Sequence, residues 1–174
     1  MNIKMKICII YGSTSSSTEQ AALKIKKNLE VSYEVNLYNI YKHDISIVKG
    51  YKSIIIGCPT WDIGLLQEDW RTTFPNIDKI NFKDKKVAYF GAGDQFVYSE
   101  TFLDALGTLE KKISSLGGKT IGYCSSKDYK FRNSKALRGE KFVGLGFDND
   151  NEPEKTERRI NEWCKILRKE LDHP

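Results

Sequence analysis

Apolar residues along this chain come in short continuous runs, separated by stretches where they recur every three or four positions. Lys6-Ile7-Cys8-Ile9-Ile10-Tyr11 reads as a buried strand. Ser53-Ile54-Ile55-Ile56-Gly57 reads as another, apolar on both faces as expected inside a parallel sheet. Val35-Asn36-Leu37-Tyr38, Val87-Ala88-Tyr89-Phe90 and Thr120-Ile121-Gly122-Tyr123 supply further strands, and Phe142-Val143-Gly144-Leu145-Gly146-Phe147 a short last one. Helical spacing lies between them. Ala21, Ala22, Ile25 and Leu29 mark one helix, with Ser17 and Gln20 predicting a capping box at its start. Leu65, Leu66 and Trp70 predict a helix after Gly64. Phe102, Leu106, Leu109, Ile113 and Leu116 mark a third, stopped at Gly117-Gly118, and Ile160, Trp163, Leu167 and Leu171 the last. From Ser125 to Glu140 neither period holds. Strand–helix alternation of this kind predicts an α/β fold with a doubly wound, mostly parallel sheet.

A length of 174 residues suits one domain with a sizeable core, and neither a repeat nor a linker divides residues 1–174. No apolar stretch approaches a membrane helix, and Met1-Asn2-Ile3-Lys4-Met5-Lys6 lacks a signal-peptide core. The expectation is a cytoplasmic protein without membrane association. Cys8, Cys58, Cys124 and Cys164 form no CxxC pair and give no zinc-site spacing. Cys8 and Cys164 fall in a predicted strand and a predicted helix, as core thiols would.

Charge changes the picture only locally. A net charge of +5 would suit a nucleic-acid phosphate backbone, but the lysines are scattered and no recognition motif accompanies them. Asp62, Glu68, Asp69, Asp94, Glu100 and Asp104 instead gather around two loops, predicting an anionic surface on a cationic chain.

The candidate chemistry lies in three strand-to-helix loops. Gly12-Ser13-Thr14-Ser15-Ser16-Ser17-Thr18 follows the first strand and opens a helix, where free N–H groups and the macrodipole favour an anion. Neither GxxxxGK[ST] nor GxGxxG is present, so a compact monophosphate suits the loop better than ATP or a dinucleotide. Taken alone, the loop reads equally as a polar turn with a helix cap. Thr60-Trp61-Asp62-Ile63-Gly64 and Gly91-Ala92-Gly93-Asp94-Gln95-Phe96-Val97-Tyr98 also follow apolar strands, which brings all three loops to one sheet edge. Trp61 and Tyr98 are either packing aromatics or two faces of a clamp for a planar ring.

These motifs, in this order, resemble the long-chain flavodoxin family. The resemblance is carried by Tyr11 to Glu19, Ile56 to Gly64 with Leu66-Gln67 and Asp69-Trp70, and Ala88 to Gln95. Gly117-Gly118-Lys119-Thr120, Lys141 to Leu145 and Asp148-Asn149-Asp150-Asn151 extend it nearly to the C-terminus. It implies a flavodoxin-like three-layer sandwich with a five-stranded parallel sheet, the last strand interrupted by an insertion corresponding to Ser125–Glu140. It implies non-covalent FMN at the carboxyl edge, with Ser13, Thr14, Ser15, Ser16, Ser17 and Thr18 on the phosphate. Thr60, Trp61, Asp62, Ile63 and Gly64, together with Gly91, Ala92, Gly93, Asp94, Gln95 and Tyr98, would hold the isoalloxazine ring. Asp94 and Gln95 match positions that contact the ring largely through their backbone. The Asp62-Ile63 peptide matches one whose carbonyl turns toward flavin N5. The family's phosphate loop usually carries glycine where this chain has Ser16, so a turn needing positive φ would have to be made by serine. Ala92 likewise replaces a commonly polar residue.

The implied activity is low-potential electron transfer between redox proteins, such as a ferredoxin/flavodoxin reductase or an oxidoreductase, by a monomer that is not itself an enzyme. Two other readings stay open: an NAD(P)H-dependent reductase of quinones or small acceptors, and an FMN-free regulatory domain on the same fold.

Overall fold

The computed structural model describes residues 3–174; Met1 and Asn2, which belong to the start read for a signal-peptide core, lie outside them. The first half alternates as the apolar pattern requires: β1 (Lys6–Tyr11), α1 (Ser17–Leu29), β2 (Glu34–Asn39) and β3 (Ser53–Gly57). A 3-10 segment at Ile45–Gly50, which the periodicity does not signal, bridges β2 and β3. After β3 a small hairpin forms from β4 (Thr60–Trp61) and β5 (Leu65–Leu66), followed by α2 (Glu68–Ile77). Then come β6 (Lys86–Ala92), α3 (Asp104–Ser115) and β7 (Lys119–Thr120). Next are β8 (Cys124–Ser125), β9 (Leu137–Arg138), β10 (Lys141–Phe142), β11 (Leu145–Phe147) and α4 (Thr156–Asp172).

The main sheet runs β2-β1-β3-β6, every pair parallel. Its fifth position is filled twice. β7 pairs with the start of β6 through Lys86↔Lys119 and Val87↔Thr120. β11 pairs with its end through Leu145↔Phe90, Gly146↔Gly91 and Phe147↔Ala92. The last strand is therefore interrupted as expected, and the segment that leaves and returns carries the antiparallel order β8-β10-β9.

Side chains on a strand alternate between faces, and the core divides accordingly. Cys8, Ile10, Ile54, Ile56, Val87 and Tyr89 face α2, α3 and the insertion. Ile7, Ile9, Ile55, Ala88 and Phe90 face α1 and α4. The stripe of α4, Ile160, Trp163, Leu167 and Leu171, is at most 3% exposed. Each such side chain contributes roughly 1.5–3 kcal/mol relative to an exposed position.

Four local expectations are corrected. Leu65 and Leu66 belong to the hairpin and not to a helix, because Asp62 (φ 43°) and Gly64 (φ 78°) reverse the chain before them. A three-residue hairpin loop needs a left-handed residue near its end, and a Cβ on Gly64 would also lie 2.7 Å from Asp104 Oδ2. The capping box at α1 does not form: the cap is Ser16, in the left-handed region, without a side-chain cap bond. Residues 142–147 do not make one strand, since Phe142 pairs antiparallel in the insertion before Leu145 rejoins the main sheet. Finally, Asp104 is 3% exposed and adds nothing to an acidic surface; its Oδ1 accepts the Lys135 N–H at 2.7 Å. Burial raises its carboxyl above the ordinary range despite that bond.

Candidate functional site

The loops after β1, β3 and β6 leave neighbouring strands at their carboxyl ends, the place where open parallel sheets receive ligands. Backbone hydrogen bonds continue the ladder past the strands and hold the three together. Gly12 N–H donates to Gly57 O, Cys58 N–H to Phe90 O and Gly93 N–H to Phe147 O, each at 3.0 Å. Gln67, 1% exposed, ties the edge crosswise: its Nε2 donates to Thr14 Oγ1 at 3.2 Å and to Asp69 Oδ2 at 2.7 Å. Trp70 Nε1 donates to Gly57 O at 2.8 Å. Thr60 Oγ1 accepts the Ala105 N–H at 3.1 Å, which fixes the base of the β4–β5 hairpin to α3.

Residues Ser13 to Thr18 surround the start of α1. Ser16 takes φ 64°, ψ −11°, so serine adopts the left-handed turn that glycine would make without strain. Its carbonyl accepts from Gln20, whereas no side chain caps the first N–H groups of the helix. Ser13 Oγ is buried and has no hydrogen-bond partner among the described residues. Leaving a buried hydroxyl unpaired costs about 1–3 kcal/mol. An orphaned hydroxyl beside uncapped helix N–H groups is a donor set that fits an anion of phosphate size. Thr14, Ser15 and Ser16 are exposed, and Thr18 is buried in the first turn of α1.

Trp61 is half-buried on the hairpin and Tyr98 is 39% exposed on the loop after β6. Among the described residues neither ring packs against another aromatic, so neither is committed to a protein stack. Asp62 and Ile63 project at the hairpin tip, Ile63 being 79% exposed, and the left-handed Asp62 leaves the Asp62-Ile63 peptide in a strained turn. Gly91 is buried near the end of β6; Ala92, its last residue, and Gly93 are half-buried beside the turn that follows.

The third loop is held by side chains. Asp94 Oδ1 accepts the N–H groups of Phe96 (3.0 Å) and Val97 (2.8 Å) and the Asn151 amide (2.9 Å). Burial works to raise this carboxyl, but those bonds outweigh it and hold it below the usual range. Gln95 is 1% exposed: its side chain turns into the protein, and its backbone N–H is held by Asp148 Oδ2 at 3.0 Å. Gln95 Nε2 donates to Asp148 Oδ2 (3.1 Å) and Glu152 Oε2 (2.9 Å), and its Oε1 accepts the Lys130 N–H (2.6 Å). Burial tends to raise Glu152, yet bonds from Gln95, Lys155 and Arg159 pull it down to about 2.

Sequence reading missed Gln67, Asp148, Asn151 and Glu152 as parts of the site. Gln67 and the Asp148–Asn151 run lie in the quoted motifs, but their roles are made by contacts distant in sequence. The acidic rim is weaker than the composition suggests, because Glu68 pairs with Arg71 (2.6 Å) and Glu100 with Arg132 (3.6 Å). Phe96 and Val97, 54% and 71% exposed, make the same surface partly apolar.

An α/β sheet with one loop suited to an anion and two to a flat ring defines a protein of the phosphorylated-aromatic-ligand class. Comparison with known proteins narrows this. The model of the family described as Flavodoxin matches residues 9–163. The chain is 46% identical to flavodoxin of Synechococcus elongatus, over 95% of this chain and 98% of that one. It is 38% identical to Flavodoxin 2 of Escherichia coli, over 96% and 97% respectively. Fusobacterium nucleatum flavodoxin bound to flavin mononucleotide superposes with a TM-score of 0.89 at 26% identity, covering 95% of this chain and 98% of that one. The chain belongs to the flavodoxin family.

Proposed function

We propose that residues 1–174 form one FMN-binding domain that carries low-potential electrons between redox proteins, as an electron carrier and not a catalytic enzyme. The observation that carries this reading is the orphaned Ser13 hydroxyl before the uncapped, left-handed start of α1, in a loop on the same sheet edge as the loops of Trp61 and Tyr98. FMN, when bound, supplies reversible exchange of one or two electrons. The residues supply binding and environment. Ser13, Thr14, Ser15, Ser16, Ser17 and Thr18 hold the phosphate through hydroxyls and helix N–H groups. Trp61 and Tyr98 cover the ring and exclude water from it, and the Asp62-Ile63 and Asp94-Gln95 backbones border its edge. The negative charges of Asp62 and Asp94 oppose the addition of negative charge at that edge, which favours a low potential.

Ile63 on the hairpin and Phe96 and Val97 on the loop after β6 present exposed apolar side chains at this sheet edge, with Asp62 and Glu100 on the same two loops. Such a surface suits brief docking to a redox partner with basic residues, for instance a reductase or an oxidoreductase, by a monomer. Among the described residues no helix is long and apolar enough to cross a membrane. The reading places the carrier in the cytoplasm, and thiols that are all unpaired fit a reducing compartment. Burial pushes the thiols of Cys8, Cys58, Cys124 and Cys164 up to about 12, so they stay protonated near neutral pH.

The test is reconstitution with FMN followed by a redox titration monitored by absorbance. One FMN per chain, reduced in two resolved one-electron steps and not oxidising NAD(P)H unaided, is the expected result. Direct NAD(P)H turnover would replace the carrier with a reductase, and failure to bind FMN would leave a repurposed fold.

A further inference from the structure

Asp148 follows β11 and is fully buried. Its Oδ2 accepts the backbone N–H of Gln95 at 3.0 Å and Gln95 Nε2 at 3.1 Å. Its Oδ1 accepts the Asn151 N–H at 3.0 Å, and Asn151 Nδ2 lies 3.1 and 2.9 Å from the two oxygens. The same Asn151 amide reaches Asp94 Oδ1 at 2.9 Å. Asp148 takes part in no ion pair among the described residues; the neighbouring pairs belong to Asp128, Glu152, Lys155 and Arg159. A carboxylate buried without a counter-ion is costly unless N–H donors saturate it. Here they do, and every one of them comes from Gln95 or Asn151. An acceptor-only side chain is what so many convergent donors require.

Gln95 extends the grip in two directions. Its Oε1 accepts from Lys130 N–H in the insertion, and its Nε2 reaches Glu152, itself bound by the 4%-exposed Arg159 at 2.7 Å. The insertion holds the next turn as well, for Arg132 and Asn133 N–H both donate to Ser99 O at 2.9 Å.

We propose that Asp148 and Gln95 are positioning residues that set the Asp94–Tyr98 turn in its ring-receiving shape before any cofactor arrives, and that they couple this turn to the insertion. The proposal rests on the FMN reading. Its physical basis is preorganisation: a loop already ordered by protein groups loses no further freedom when a ligand seats against it. A purely structural role for Asp148 would loosen the sheet generally, whereas positioning loosens one turn and alters the electronic surroundings of the ring.

The experiment compares the unaltered protein with Asp148→Ala, Asp148→Asn and Gln95→Leu. It measures amide hydrogen exchange without cofactor, FMN affinity by fluorescence quenching, and reduction potentials with FMN bound. For Asp148→Ala the expectation is exchange at Gln95, Phe96 and Val97 faster by tenfold or more, unchanged β1 and β3 amides, and FMN binding weakened at least tenfold. Asp148→Asn recovers part of both, because its amide oxygen still accepts the Gln95 N–H. Gln95→Leu keeps that backbone bond but frees Lys130 N–H, and shifts the potentials; it also serves if Asp148→Ala does not fold. Unchanged exchange in the 94–98 turn, or equal acceleration across the whole sheet, overturns the proposal. If the unaltered protein bound no FMN, the functional reading and the cofactor half of the proposal would fall together, while the exchange data would still decide whether Asp148 braces the turn.

Discussion

The loop after β1 and the loop after β6 sit on the same sheet edge and are built in opposite ways. In residues 12–18 the polar groups are left over: Ser13 Oγ has no partner and the α1 N–H groups have no side-chain cap. In residues 93–99 they are used up, by Asp94 on its own turn, Asp148 on Gln95, and the insertion on Gln95 and Ser99. On the proposed reading, the first loop gains its missing hydrogen bonds from a ligand and the second offers a ligand a surface already in shape. A phosphate needs donors and a flat ring needs a fixed wall, so each construction suits the part of FMN assigned to it.

The sharpest way to break the comparison is to fill the space under the unsatisfied loop. A Cβ on Gly12 would lie 2.2 Å from Gln67 Oε1 and 2.8 Å from Trp70 Cδ1, both on buried side chains. Gly12→Ala is expected to cost about 3 kcal/mol of stability, as overpacking does at its upper end. It should also release Thr14 from Gln67, so a lowered melting temperature should come with weakened phosphate binding. Thermal unfolding and riboflavin-versus-FMN affinity check this: loss of FMN binding with riboflavin binding intact places the damage at the phosphate loop.

The aromatic walls come next. Trp61→Ala and Tyr98→Ala each remove a ring face that contributes apolar burial and stacking, about 2 kcal/mol or roughly a 30-fold loss of FMN affinity. The cofactor-free melting temperature should barely move, since Tyr98 is 39% exposed and Trp61 only half-buried. Unaltered affinity and unaltered potentials in both variants would return the two residues to ordinary packing.

Acid separates the two loops by a smaller effect. Glu152, whose carboxyl is pulled from 4.5 to about 2, and Asp94, lowered from 3.8, both brace the loop after β6. A depressed folded-state value stabilises above the unfolded value and is lost as pH falls through the folded one. The Glu152 contribution is complete above pH 4.5 and disappears toward pH 2, and that of Asp94 is lost in the same direction as pH falls. Amide exchange at Phe96 and Val97 in the cofactor-free protein should accelerate over that window, corrected for intrinsic rates. No side chain caps the first α1 N–H groups, so their exchange should not follow it.

How far these loops were legible in the sequence follows the same division. Hydrophobic runs placed β1, β3 and β6 because a doubly covered parallel strand must be apolar on both faces, and the loops at their ends came with them. Trp61, Tyr98 and the hydroxyls of residues 13–18 were legible because their chemistry lies in the side chain named. The brace was not: Gln95, Asp148 and Glu152 are polar residues buried by one another across 53 and 57 positions, and no local period marks such a contact. Leu65 and Leu66 misled for a related reason. Their apolar spacing with Trp70 fits a helix, but the left-handed Asp62 and Gly64 turn the chain into a hairpin before α2 can begin.

Ser16 gives the smallest effect and the clearest sign. At φ 64° its Cβ stands in the left-handed region, where a non-glycine residue is strained by roughly 1–2 kcal/mol. Its side chain makes no cap bond in return, so nothing in the protein offsets that strain. Ser16→Gly removes the strain but gives the unfolded chain more freedom to lose, by about 0.5–1 kcal/mol. The net gain in stability should therefore be small, on the order of 0.5 kcal/mol. FMN affinity should hold or rise, because the backbone N–H remains and the turn becomes easier to keep. A several-fold loss of FMN affinity with an unchanged melting temperature would mean that the exposed Ser16 hydroxyl itself binds the phosphate. In that case the strain is retained for a hydrogen bond made only in the complex, and the loop after β1 would depend on its ligand even more completely than its unpaired Ser13 already indicates.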